Sequence, residues 1–64
     1  SALFDQGVNA LVSRQFKEAV EAFSGVIGHH ISDPVASLFH ERSLAYNEKG
    51  VPEDWEGIEV IPFK

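Results

Sequence analysis

The sequence predicts an all-α fold: an antiparallel helical hairpin, a third helix packed on it, and an irregular C-terminal tail. Three observations predict this. Apolar residues recur at three- and four-residue spacing from the start of the chain to about residue 49. Only Val12-Ser13-Arg14-Gln15 separates the first two periodic runs, and so short a connection makes antiparallel neighbours. Asp33-Pro34 then reopens the pattern with a capping side chain followed by proline at the first helical position, where no hydrogen bond is lost.

In the first helix Leu3, Phe4, Gly7, Ala10 and Leu11 fall on one face. The second helix carries Phe16, Ala19, Val20, Phe23, Val26 and Ile27 and is expected to stop at Gly28, with His29-His30-Ile31-Ser32 as a loop. The third runs to about Lys49, presents Val35, Leu38, Phe39, Arg42, Ala45 and Tyr46, and ends at Gly50. Beyond it, Val51 to Gly57 has room for one helical turn opened by Pro52. Ile58-Glu59-Val60-Ile61-Pro62-Phe63, rich in β-branched residues and closed by proline, reads as extended. The chain therefore divides into a helical domain, 1–50, and an acidic and apolar tail, 51–64.

At 64 residues there is room for one domain, whose core supplies about 3–5 kcal/mol. With no cysteine there is no disulfide and no thiolate metal site. Stability from a neighbouring repeat, a second copy or a bound partner is expected. With Ser1 in place of an initiator methionine, a fragment or a trimmed chain is expected. The formal charge is −5, and residues 33–64 hold most of it. An acidic surface repels phosphate backbones, so nucleic acid is not an expected partner. No apolar run is long enough to span a bilayer, and membrane insertion is not expected. The absence of cysteine fits a cytoplasmic setting.

The spacing resembles the tetratricopeptide repeat, a unit of about 34 residues built from two antiparallel helices. Leu3, Gly7 and Leu11 look like the positions of its first helix, and Phe16, Ala19 and Phe23 like those of its second. Leu38 to Gly50 resembles the first helix of a following unit, with Ser43 in place of the usual glycine. Pro52 and Trp55 then break the pattern of its second helix, so the resemblance spans one and a half repeats. The resemblance implies protein–protein recognition by an adaptor or assembly module, without catalysis. Many domains of this sub-pattern belong to co-chaperones that grip a C-terminal carboxylate. The cationic and amide residues of that grip are replaced here by Phe4, Val8 and Glu41, and an acid at such a site repels the ligand.

The residues offer an apolar groove instead. Helices in the position of the first and third would line a concave face with Phe4, Val8, Phe39 and His40, suited to an apolar helix or extended peptide. The alternative is that Phe4 and Phe39 complete the core. Trp55 has two readings as well. It folds back over the open end of the third helix, or it forms, with Ile58, Val60, Ile61 and Phe63, an arm that binds a partner or a second protomer.

Other chemistry is thin. His29, His30 and His40 have no acid or cysteine at metal-ligand spacing, so no metal is expected. Glu53, Asp54, Glu56 and Glu59 form a solvated acidic stretch with no enclosure to shift a carboxyl toward acid–base work. There is no glycine-rich phosphate loop, and neither cofactor nor enzymatic activity is expected. Two other functions remain open: a homo-oligomer in which an incomplete array completes itself by pairing or end exchange, and a helix-binding bundle similar to the microtubule-interacting-and-trafficking domain.

Overall fold

A computed structural model describes residues 1–29 and 33–57. Its helices are α1 (Ala2–Val12), α2 (Phe16–His29) and α3 (Pro34–Lys49), so the chain is all-α. Each start has a local cause. The Ser1 hydroxyl accepts from the Phe4 amide at 3.2 Å. Asp33 Oδ1 accepts from the amides of Val35 and Ala36 at 3.0 and 3.1 Å, and Pro34 follows as the first helical residue. These side chains satisfy donors that the first turn of a helix leaves without partners.

The ends differ more from expectation. α3 stops at Gly50, whose φ of 75° lies in the left-handed region that glycine enters without a Cβ penalty. α2 does not stop at Gly28. It continues to His29, and Gly28 has no positive φ. The glycine lies within the last turn, exposed, and nothing around it forces a reversal. Expected loop residue His29 is thus helical, while His30, Ile31 and Ser32 lie outside the described residues.

α1 ends at Val12 in a Schellman arrangement. The Gln15 amide donates to the Ala10 carbonyl at 2.8 Å and the Arg14 amide to the Leu11 carbonyl at 3.0 Å. Arg14 occupies the left-handed position, φ 64°, where glycine is usual. The Gln15 carbonyl then accepts from the Ala19 amide at 3.0 Å and opens α2 directly.

Packing is serial. Leu3 near the start of α1 lies against Gly25 near the end of α2, and Gly7 lies against Phe23. Phe23 meets Phe39, and Phe16 meets Tyr46. Both neighbouring pairs therefore run antiparallel. α3 buries Ala36, Phe39 and Ser43, with Val35, Leu38, His40, Arg42 and Tyr46 half-buried. Ala45, expected on this face, is exposed. The contact stripe is set by Ala36, Phe39 and Ser43 at three- and four-residue steps, and Ala45 falls beyond its edge. Ser43 is fully buried, and its hydroxyl donates to the Phe39 carbonyl at 2.7 Å, which satisfies it inside the apolar contact.

Gly7 explains how α1 and α2 approach so closely. A Cβ there would sit 2.6–2.9 Å from three carbons of the Phe23 ring, and Phe23 is fully buried with nowhere to move. Gly7→Ala is expected to destabilise the fold by about 1–3 kcal/mol through overpacking, outweighing the ~1 kcal/mol helix-propensity gain. Gly28→Ala meets nothing within 4 Å and is expected to stabilise by about 0.5–1 kcal/mol. Urea midpoints of the two variants on either side of the parent are the expected result. Two shifts in the same direction would refute this account of the α1–α2 joint.

Candidate functional site

Two aromatic triangles organise the interior. In the first, Phe4 of α1, Phe23 of α2 and Phe39 of α3 have ring centroids 5.5–5.6 Å apart in all three pairs. This triangle joins all three helices at one end. In the second, Phe16 of α2 and Tyr46 of α3 stand 5.6 Å apart, and Trp55 completes the set at 5.6 and 5.3 Å. Leu11 and Ala19, both fully buried, belong to the same core cluster. Edge-on and offset pairs of this kind contribute about 0.5–1.5 kcal/mol each beyond area burial.

The second triangle takes its third aromatic from the segment after Gly50. Residues 51–57 have room for a helical turn but form none. They make one hydrogen-bonded turn, with the Trp55 amide donating to the Pro52 carbonyl at 3.0 Å. The turn brings Trp55 back to 8 % exposure, beside the half-buried Val51. Trp55 and Val51 thus pack with the core of the helices, while Pro52, Glu53, Asp54 and Glu56 are exposed. Of the arm envisaged from the sequence, Trp55 is a core residue. Ile58, Val60, Ile61 and Phe63 lie outside the described residues.

Arg14 holds this turn in place. Its Nη2 donates to the Glu53 carbonyl at 2.8 Å and to the Trp55 carbonyl at 2.7 Å, while its guanidinium carbon lies 5.7 Å from the Trp55 ring centroid. A cation over an indole face adds attraction to the two charge-assisted bonds. The left-handed backbone of Arg14 costs about 1–2 kcal/mol relative to glycine. The side chain, which glycine lacks, offsets that cost by reaching across 39 and 41 residues of sequence. Sequence reasoning placed Arg14 only in a connection. Its one local signal is a large cationic residue at a helix end where glycine is ordinary.

The groove residues divide. Phe39 is 3 % exposed and belongs to the core. It cannot act as the open floor of a groove, because the rings of Phe4 and Phe23 cover it. Phe4, Val8 and His40 are half-buried. The stacked Phe4–Phe39 pair, at an interplanar angle of 21°, is a side-chain contact between α1 and α3. A cleft of about 550 Å³ opens elsewhere, between α1 and α2, and is lined by Leu3, Gln6, Ala10, Gln15, Glu18 and Glu21 among others. None of Phe4, Val8, Phe39 and His40 is among its lining residues.

Among the described residues no group of histidines and acids is arranged to hold a metal ion, and no helix is long and apolar enough to cross a membrane. Comparison of the chain with protein-family models, with curated proteins and with solved structures finds no match.

Proposed function

We propose that the chain is a protein-recognition module, built in the manner of one and a half tetratricopeptide repeats, and that it binds rather than catalyses. Its ligand is an apolar helix or extended peptide laid along the α1–α3 face. The observation that carries this reading is the Phe4–Phe39 stack at 5.6 Å, which brings α1 and α3 together at one aromatic contact, with Phe4, Val8 and His40 half-buried. Serial antiparallel packing through Gly7 and Phe23 agrees with the repeat geometry. An adaptor working in the cytoplasm fits this composition. Self-assembly by end exchange is less favoured, because Trp55 already covers the Phe16–Tyr46 end within the one chain.

The test is titration of the isotope-labelled chain with a neutral leucine- and alanine-based helical peptide. Amide shifts should cluster at Phe4, Val8, Phe39 and His40. Val8→Ser and His40→Glu should each weaken binding about tenfold, the size of a hot-spot loss, with helical circular dichroism retained. Shifts scattered away from this face, or unchanged affinity in both folded variants, would refute the groove.

A further inference from the structure

We infer that the cleft between α1 and α2 is a second docking surface, and that its occupant is a short helix bearing lysine or arginine. The cleft holds about 550 Å³. Ala10 and Ala22 lie in its wall with Leu3, so a visiting backbone can approach closely over small side chains. It extends along α1 from Leu3 to Ser13, which is about 15 Å at 1.5 Å per residue and matches roughly three helical turns. α3 packs on α2, whereas the cleft is formed by α1 and α2 and involves no residue of α3.

Charge selects the occupant. Glu18 and Glu21 stand on the α2 lip, both exposed, and among the described residues no lysine or arginine lines the cleft. Neither acid makes an ion pair or a side-chain hydrogen bond among the described residues, and Lys17, one turn before Glu21, makes no ion pair with it. On the α1 lip Gln6 and Asn9, with Gln15 at the bend, supply amide donors and acceptors. An acidic lip beside a small apolar floor complements a helix with an alanine or leucine stripe flanked by cations. A second copy of this chain, at a formal charge of −5, is a poor electrostatic match.

The experiment uses the whole chain, isotope-labelled, and a helical peptide with an alanine–leucine stripe flanked by lysines. The same peptide with glutamates in place of the lysines is the control. The basic peptide should shift the amides of Gln6, Asn9, Ala10, Gln15 and Glu18, and the acidic one should not. The double variant Glu18→Gln/Glu21→Gln changes exposed side chains only and should bind the basic peptide about tenfold more weakly, as loss of two charge pairs implies. Raising salt should weaken the parent but barely affect the double variant. No shift at millimolar peptide overturns the inference, as does equal binding of the acidic peptide or of the double variant. Shifts confined to Phe4, Val8 and His40 would overturn it while leaving the α1–α3 groove standing. A concentration-dependent dimer that shifts the cleft amides without peptide would assign the surface to a second copy instead.

Discussion

Replacing Trp55 by alanine is expected to unfold most of the chain at 25 °C. Trp55 is 8 % exposed and closes a triangle with Phe16 and Tyr46, and truncation of a buried tryptophan costs about 3–5 kcal/mol. A core of this size supplies about the same amount in total, so little stability is left. The measurement is the helical circular dichroism signal and its urea midpoint. The chain has a single tryptophan, so its fluorescence in the parent reports the same transition directly. Arg14 separates the clasp from simple burial. Arg14→Ala keeps the left-handed backbone and loses both carbonyl contacts, whereas Arg14→Gly loses the same contacts and relieves the backbone. Arg14→Gly should therefore be the more stable of the two by about 1 kcal/mol. A fully folded Trp55→Ala variant with the parent's midpoint would mean that Trp55 does not belong to the core.

Phe39→Ala is expected to be nearly as severe, again about 3–5 kcal/mol. Its ring lies 5.5–5.6 Å from those of Phe4 and Phe23, and the side chain is 3 % exposed. Phe39→Leu keeps most of the volume and forfeits mainly the ring–ring preference, about 0.5–1.5 kcal/mol per pair. The expected order of urea midpoints is parent, then leucine, then alanine, the last close to unfolded without denaturant. This has a consequence for the groove: lost binding in Phe39→Ala would report unfolding rather than lost contact, so Val8 and His40 are the positions that test recognition. If Phe39→Ala kept the parent's midpoint, Phe39 would face solvent and the groove first read from the sequence would regain its floor.

Much of the architecture was legible in the residues alone. The periodicity of Phe16, Ala19 and Phe23, the smallness of Gly7, and the Asp33-Pro34 start each act through local geometry, and all three helices follow from them. A four-residue spacing or a capping carboxylate states its consequence within one turn of chain. Gly28 was misread because a glycine ends a helix only where the backbone must turn left-handed, and at that position it does not. Ala45 was misread because it sits at the margin of the α3 contact stripe, where helical spacing alone does not settle which neighbour the helix leans on.

By itself, then, the sequence determined three helices, their order and the small residues at the α1–α2 joint, because helix formation and close approach depend on residues a few positions apart. Tertiary structure alone decided three other things. Arg14 reaches carbonyls about 40 residues away, Trp55 fills the place beside Phe16 and Tyr46, and Phe39 is a core ring rather than a groove floor. The physical reason is common to all three. Whether an aromatic or a cation faces water or protein depends on what the rest of the chain brings to it, and that partner is set by packing across the whole molecule rather than by neighbours in sequence.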